Sequence, residues 1–183
     1  TITGLNPDSQ QGDKVILDIL KRCGGKFKPV EGGYHFDRSL LKATEIDLAD
    51  CPDLGPILFT LGCFCSGETV IRNAGRLRLK ESDRIDAMRD ELQKMGARID
   101  VEGDSVHIQG VALHAPNAPL SGHNDHRIVM ALAVAAIASG LPALLCGAEA
   151  VEKSWPAFWN VLRSLGAKIE LSSDRKEDFD IKA

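Results

Sequence analysis

The chain has 183 residues, enough for one domain with a sizeable hydrophobic core or for two small ones. Hydrophobic residues make up 44% and charged residues 26%, which is an ordinary globular composition. The net charge of −4 argues against a general nucleic-acid-binding surface, which normally needs a basic balance. The longest apolar run, residues 128–139, is shorter than the roughly 20 residues of a membrane crossing.

Three similar segments predict an internal repeat. They read LKRCGGKF at 20–27, LQKMGARI at 92–99 and LRSLGAKI at 162–169, and their glycines recur at intervals of about 70 residues. In each segment the pattern predicts an amphipathic helix that ends at the glycine and is followed by a strand. The predicted helices cover residues 10–23, 82–95 and 154–165.

The remaining elements complete the repeat. Apolar helices are predicted over 53–66 and 126–139, with strands after them at 68–72 and 142–146. Strand pairs follow the first two glycines, at 26–30 with 34–37 and at 98–102 with 105–109, with turns at 32–33 and 103–104; one strand, 168–171, follows the third. The full unit is thus βαβαββ, which predicts an α/β fold with parallel pairs beside hairpins.

The first repeat has only its second half. We therefore predict a single domain over 1–171, made of a partial repeat at 1–40 and further repeats at 41–110 and 111–171, with a loose polar tail at 172–183. The chain begins with Thr1 in a strand-like segment and not with Met, so we expect it to be a piece of a longer protein.

The cysteines predict a reduced, cytoplasmic protein. Their number is odd, their spacing fits no disulfide framework, and no second ligand pair accompanies the two at 63 and 65 to make a zinc site. We expect them to be core residues: Cys23, Cys51, Cys63, Cys65 and Cys146.

The stretch KESDR at 80–84 places two cations, Lys80 and Arg84, at the start of a predicted helix. Cations there oppose the helix dipole, whereas the same position favours phosphates and carboxylates. A solvated helix start is the simpler interpretation; binding of a small anion is the functional one. Glu81 lies beside both cations and is expected to ionise easily, although an enclosed site could make it a proton carrier.

Two further helix starts repeat this arrangement. NDHR at 124–127 puts His126 and Arg127 after two residues that favour the N-cap, and Lys153 precedes the helix predicted from 154. Caps and surface polar residues would explain the same letters. His123 and His126 have a spacing that metal ligands use, but no third ligand is in view, so no metal is predicted. Asp53 at the start of an apolar helix predicts, by itself, only a cap.

KESDR at 80–84, NDHR at 124–127 and KSWP at 153–156 resemble the motifs of the EPSP synthase family (3-phosphoshikimate 1-carboxyvinyltransferases) over nearly the whole chain. The resemblance implies the family's pseudo-threefold domain, an inside-out α/β barrel of βαβαββ units. It also implies the family's reaction in aromatic amino acid biosynthesis, the transfer of the enolpyruvyl group of phosphoenolpyruvate to the 5-hydroxyl of shikimate 3-phosphate. No metal or organic cofactor is implied.

The resemblance also implies roles for the charged residues. Arg84, Arg127 and Lys153 match the family's phosphoenolpyruvate clamp, and Lys80 matches a contact to shikimate 3-phosphate. Arg76 stands where many members carry Asn or another polar residue near the substrate phosphate, so its role stays open.

Three further residues match the family's catalytic positions. Asp53 matches the carboxylate that contacts the shikimate hydroxyls and accepts a proton, which replaces the structural interpretation given above. Glu81 matches the carboxylate that exchanges a proton at the phosphoenolpyruvate methylene, and His126 is a supporting residue close by.

Family members are more than twice this length and bind substrate between two similar domains. The resemblance therefore implies that an N-terminal domain supplies the rest of the active site and that this chain alone is inactive. Two alternatives remain: a binding module that captures a small anion without chemistry, and enolpyruvyl transfer to UDP-N-acetylglucosamine, for which no uridine site is evident. Neither a nucleic-acid nor a membrane partner is expected.

Overall fold

A computed structural model describes residues 1–6, 8–172 and 178–182. The strands are β1 (Ile2–Thr3), β2 (Lys26–Val30), β3 (Gly33–Asp37), β4 (Glu45–Asp47), β5 (Glu68–Arg72), β6 (Arg98–Glu102), β7 (Ser105–Gln109), β8 (Leu120–Ser121), β9 (Ala143–Cys146), β10 (Lys168–Leu171) and β11 (Phe179–Lys182). The α-helices are α1 (Ile16–Arg22), α2 (Gly55–Phe64), α3 (Arg84–Gln93), α4 (His126–Ser139) and α5 (Phe158–Ser164). Short 3-10 helices cover Gly12–Val15, Pro52–Leu54, Ala74–Leu79 and Ala148–Lys153.

The described strands form three sheets, and the sheets follow the predicted repeats. The second repeat orders its strands β4-β5-β7-β6 and the third, in the same sense, β8-β9-β11-β10. In both, the first two strands are parallel and joined by a crossover helix, α2 or α4, and the last two form an antiparallel pair. The first repeat contributes β1, β3 and β2, paired in the same way without the first parallel strand. The predicted α/β fold of βαβαββ units is confirmed.

The core lies among the helices, with the sheets around them. Helices α2, α3 and α4 contact one another, and seven of the ten residues of α2 are buried. Small residues in α4 let the helices approach closely, and the Thr60 hydroxyl of α2 donates to the carbonyl of Ala131 at 3.0 Å. Strands β5 and β7 bury alternate residues, and so one face each, whereas β2 and β3 of the first repeat have no buried residue. Helix starts from different repeats are thereby brought to one end of the core.

Glycine sets two features of the repeat. The predicted helix-ending glycines Gly24, Gly96 and Gly166 have φ of +82°, +85° and +97°, a region that side chains avoid. Gly33 was predicted in a turn but is the first residue of β3, so the turn lies at 31–32. A Cβ at Gly33 would lie 1.9 Å from the Ile2 carbonyl oxygen, so β1 can pair there only with glycine.

Helix α4 begins at His126 as predicted, whereas α2 and α3 begin two residues later than predicted. Helix α3 begins at Arg84 because the side chain of Asp83 caps it, accepting from the amides of Ile85 and Asp86 at 3.1 and 3.2 Å. Lys80 therefore lies in the turn that leads into α3. Likewise, Asp53 lies in a 3-10 helix that precedes α2.

Lys153 was predicted to lie directly before an α-helix, and this prediction is wrong. It ends the 3-10 helix Ala148–Lys153, and α5 begins only at Phe158. The physical reason is Pro156, which disfavours helical backbone at the residue before it, Trp155. The Ser154 amide closes the last 3-10 turn by donating to the carbonyl of Val151 at 3.1 Å, and the Trp155 amide donates to the same carbonyl at 2.7 Å.

The loose tail predicted for 172–183 is wrong for residues 179–182, which form β11 in the middle of a sheet, between β10 and β9. Ile181 is buried and Phe179 stacks on Trp159 with 4.7 Å between ring centroids, so apolar burial outweighs the polar composition of the segment. Residues 173–177 and 183 lie outside the described part of the chain.

The cysteines are core residues as predicted, four of them buried and Cys146 half-buried, and none of them forms a disulfide. Burial raises the pKa of the Cys63 and Cys65 thiols to about 12. Within the described ranges, no helix combines the length and the apolar character that a membrane span requires.

Candidate functional site

The site is built on a buried ion pair between two repeats. Arg84 begins α3 and Asp125 caps α4, and their side chains are 1% and 0% exposed. The guanidinium donates from Nε to Asp125 Oδ2 at 2.8 Å and from Nη2 to Oδ1 at 3.3 Å, a two-pronged contact. The Ser82 hydroxyl donates to Asp125 Oδ2 at 3.0 Å. This pair fixes the start of α3 against the start of α4.

Asp53 lies beside this pair, and its carboxylate forms ion pairs with three cationic side chains. Lys80 Nζ is 2.9 Å and Arg84 Nη1 3.2 Å from its Oδ1. Arg127 reaches Oδ2 at 3.2 Å through Nη2 and donates from Nη1 to the Asp53 carbonyl at 3.0 Å. The Asp53 side chain remains 38% exposed, so the centre of the group is open to solvent. Residues 53, 80, 84 and 127, distant in sequence, thus meet around one carboxylate.

The surroundings of Asp53 keep it ionised. Burial alone would raise the pKa of its carboxyl, but the hydrogen bond from Lys80 and the charges of Arg127, Lys80 and Arg84 outweigh burial. The pKa therefore lies below its usual value. A base held in this way accepts a proton poorly until its cations are engaged elsewhere.

Glu81 completes the group from the solvent side. Its Oε2 accepts from Arg84 Nη2 at 2.5 Å, and its side chain is 46% exposed. All three guanidinium nitrogens of Arg84 thus contact a carboxylate: Asp125, Asp53 or Glu81. An anion that contacts Arg84 must displace Glu81 or Asp53. We call these residues the charge cluster: Asp53, Lys80, Glu81, Arg84, Asp125 and Arg127.

The start of α4 carries two more predicted features. Asp125 is an N-cap, as its residue type predicts, and accepts from the Arg127 amide at 2.9 Å. His126 follows with its buried Nδ1 unpartnered among the described residues. Burial lowers the pKa of this imidazole, although Asp125 and Glu81 nearby act in the opposite direction. His126 is therefore neutral at neutral pH.

Lys153 and Arg76 lie at the margins of the site. Lys153 Nζ donates to both the carbonyl and the side-chain oxygen of Asn124, each at 2.6 Å, and so contacts the turn just before Asp125. Arg76 donates from Nη1 to the Ala49 carbonyl at 3.1 Å, on the segment that leads to Asp53. The structure thus brings five predicted residues into direct contact, joins Lys153 through Asn124, and leaves Arg76 on a neighbouring 3-10 helix.

Sequence reasoning missed three partners of these residues. Asp125 was predicted only as a cap, and its pairing with Arg84 across 41 residues has no local signal. The contacts of Ser82 and Asn124 were also unforeseen, although both belong to the motifs at 80–84 and 124–127. Recurrence of cations near helix starts indicated the site; the buried carboxylate that orients Arg84 follows only from the fold.

In comparison with known proteins, the sequence profile of the family EPSP synthase (3-phosphoshikimate 1-carboxyvinyltransferase) matches residues 1–162. The chain belongs to this family. All residues of the charge cluster lie inside the match, as do Arg76, His126 and Lys153.

Curated relatives named 3-phosphoshikimate 1-carboxyvinyltransferase show substantial identity. The protein of Brachyspira hyodysenteriae is 43% identical over 176 residues, covering 92% of this chain and 40% of its own length. That of Methanocaldococcus jannaschii is 41% identical over 177 residues, covering 93% and 40%. The chain therefore spans about 40% of the length of these relatives.

Solved structures agree in fold. EPSP synthase from Acinetobacter baumannii superposes with a TM-score of 0.74 at 27% identity, covering 88% of this chain and 40% of that one. The enolpyruvyl transferase NikO from Streptomyces tendae reaches a TM-score of 0.72 at 23% identity, covering 85% and 36%, which shows a shared fold alone. The enolpyruvyl transferase fold implied by the motifs is confirmed.

Proposed function

We propose that this chain supplies one half of an active site that transfers the enolpyruvyl group of phosphoenolpyruvate to the 5-hydroxyl of shikimate 3-phosphate. The main observation that supports this proposal is that Lys80, Arg84 and Arg127 all contact the carboxylate of Asp53. These cations come from the two most specific motifs of a family whose members are named for this reaction. Both substrates carry phosphate and carboxylate groups, which such cations bind.

The cations are proposed to bind different substrates according to their positions in the site. Arg127 and Arg84 are proposed to hold phosphoenolpyruvate, with Lys153 beside them at the same turn, and Lys80 to hold shikimate 3-phosphate. Arg84 is already oriented by Asp125, so its guanidinium needs no reordering when Glu81 is displaced. Arg76 is proposed as an additional phosphate contact on the Asp53 side, next to Ala49.

The chemistry needs one group that accepts the hydroxyl proton and one that serves the methylene carbon. Asp53 accepts the proton of the 5-hydroxyl group while the oxygen of that hydroxyl bonds to C2 of phosphoenolpyruvate. At the same time Glu81, in its acid form, protonates C3. Glu81 then removes a proton from the new methyl group as the C2–O bond to phosphate breaks. The leaving phosphate takes the proton that Asp53 had accepted, so both carboxyl groups return to their starting state and the products are the enolpyruvyl ether and inorganic phosphate. His126, whose pKa is lowered by partial burial, is proposed as a supporting residue at the start of α4.

Anion binding and proton transfer are coupled in this arrangement. Lys80, Arg84 and Arg127 hold the pKa of Asp53 low, and the same cations are the proposed substrate contacts. When phosphates and carboxylates neutralise these cations, the pKa of Asp53 rises toward its usual value. Asp53 therefore becomes a better proton acceptor when the substrates are present.

The charge cluster by itself is balanced, with three cations and three carboxylates. Two substrates with several negative charges each require more cations than Arg76 and Lys153 add. We propose that an N-terminal domain of the longer protein supplies them, and that residues 1–171 belong to the domain facing it. The isolated chain is then inactive and binds phosphoenolpyruvate weakly.

The test is phosphate release from phosphoenolpyruvate and shikimate 3-phosphate. The 183-residue chain is assayed alone and after mixing with a separately produced N-terminal remainder. We expect turnover only in the mixture. Turnover by the chain alone contradicts the half-site proposal, and no turnover in a mixture shown to associate contradicts the proposed reaction.

Variants then separate the proposed roles. Asp53→Asn and Glu81→Gln are expected to lower kcat at least 100-fold, the scale of a lost general acid or base. Asp86→Asn is the matched control, because Asp86 is an exposed carboxylate of α3 that pairs only with Arg78 and Arg89 among the described residues. Tight phosphoenolpyruvate binding by the chain alone, indifferent to Glu81→Gln, would instead favour the anion-binding module, and turnover with UDP-N-acetylglucosamine the sister reaction.

A further inference from the structure

Helix α3 carries a buried carboxylate outside the charge cluster, Glu91. Its side chain is 4% exposed, yet both oxygens have partners. Oε2 accepts from the Ser121 amide at 2.8 Å and from Lys94 Nζ at 2.7 Å, and Oε1 lies 3.0 Å from His123 Nε2. A buried carboxylate is costly unless it is paired in this way. Two of its three partners belong to the segment that enters α4.

That segment has an unusual backbone. His123 and Asn124 are consecutive residues with φ of +49° and +53°, a region that costs energy for residues other than glycine. Such a conformation persists only when its surroundings hold it. Lys153 holds Asn124 from one side through two hydrogen bonds. Glu91 holds Ser121 and His123 from the other.

The turn determines where the site residues point. Asp125 at the end of this turn pairs with Arg84, and Arg127, two residues further on, contacts Asp53. Glu91 touches none of the residues of the charge cluster through the contacts given above, so its effect on them passes through the 121–125 turn. A change in the backbone conformation of this turn would displace Arg127 and leave the buried residues of α4 in place.

We propose that Glu91 is a positioning residue, which holds the strained turn at 121–125 and thereby sets the position of Arg127 for phosphoenolpyruvate. The structural part stands on the contacts of Glu91; the kinetic part rests on the proposed function. Nothing in the sequence pattern distinguishes Glu91 from the exposed acidic residues of the same helix, such as Asp90.

The first test is amide hydrogen exchange on the 183-residue chain. In Glu91→Ala we expect exchange at Ser121 and Asp125 to become at least tenfold faster relative to wild type, with core amides of α4 such as Leu132 changed less than threefold. Glu91→Gln keeps an acceptor for the Ser121 amide and should restore most of the protection there. Asp90→Ala is the matched control, since Asp90 is adjacent, 55% exposed and paired with Arg89.

A uniform acceleration across α4 would overturn the proposal, because it would mean that Glu91 only adds to global stability. Unchanged exchange at 121–125 would overturn it equally. Should Glu91→Ala fail to fold, His123→Ala removes one contact of the carboxylate and carries the same expectation for Asp125. These readouts do not depend on catalysis.

The second test is kinetic and uses the chain assembled with its N-terminal remainder. In Glu91→Ala we expect the KM for phosphoenolpyruvate to rise about tenfold, the KM for shikimate 3-phosphate to stay within twofold and kcat within threefold, because misplaced Arg127 weakens binding of one substrate. Glu91→Gln should recover the wild-type KM. A fall in kcat without a change in KM overturns the positioning role, whereas an inactive wild-type assembly counts against the proposed function and leaves the exchange result standing.

Discussion

Asp53 and Asp125 occupy corresponding places in the second and third repeats, each at the entry to the crossover helix that joins two parallel strands. Their environments differ sharply. Asp125 is fully buried, caps α4 and pairs with Arg84, whereas Asp53 is 38% exposed and gathers Lys80, Arg84 and Arg127. The comparison teaches that one position of the repeat carries a carboxylate twice, once buried to orient Arg84 and once partly exposed, where we propose that it contacts a substrate.

The largest expected effect is on stability at Asp125. Asp125→Ala leaves Arg84 buried without its main partner, and the loss of one member of a buried pair costs about 3–5 kcal/mol in the free energy of unfolding. Asp53→Ala should cost about 1 kcal/mol or less, because partly exposed ion pairs contribute little. Urea denaturation of both variants measures the difference.

Asp125→Asn refines this result. Asparagine retains the N-cap of α4, so the cap and the charge are separated. We expect Asp125→Asn to recover only the capping part, about 1 kcal/mol. If Asp53→Ala destabilises the chain as much as Asp125→Ala, the division between an orienting and a substrate-facing carboxylate is wrong.

The sequence predicted the strands and the cations near helix starts better than the buried contacts of Asp125. Strands such as β6 and β7 have the predicted bounds because alternation and a turn glycine are local signals. The motifs indicated the cations, since charge at a helix start is also local. The burial of Asp125 and Glu91 depends on contacts across 41 and 32 residues, which no local pattern encodes. Strand β11 was missed because polar composition outweighed the repeat, which called for a fourth strand there.

The second largest expected effect is the pH dependence of the stability that the Arg84–Asp125 ion pair contributes. At Asp125, burial raises the pKa, but the hydrogen bonds from Arg84 and the Arg127 amide and the charge of Arg84 outweigh burial, so the folded pKa is lowered. The stability from this group is therefore fully present above the unfolded pKa of about 3.9 and is lost as the pH falls through the lower folded value. The difference in unfolding free energy between wild type and Asp125→Asn should shrink below about pH 4.

Asp53→Asn should show the same direction from a smaller starting difference, because the pKa of Asp53 is also lowered by its cations. Urea midpoints measured against pH for wild type and the two variants give both curves. A difference for Asp125→Asn that grows as the pH falls below about 4 contradicts the assignment of Asp125 as an ionised partner of Arg84.

The smallest effect concerns His126, which begins α4 beside Asp125 and has no titratable counterpart at the start of α2. Burial lowers the pKa of the imidazole, with Asp125 and Glu81 opposing the shift. The stability from the neutral ring is thus present above its unfolded pKa of about 6.5 and is lost as the pH falls through the lower folded value. Relative to His126→Asn, wild type should lose stability between about pH 7.5 and 5.5, while Asp53→Asn, as the control, keeps a constant difference over that range because its carboxyl titrates lower. A wild type that gains stability on acidification would mean that His126 is held as a cation by Asp125, and the entry to α4 would then carry charge into the site as the entry to α2 does.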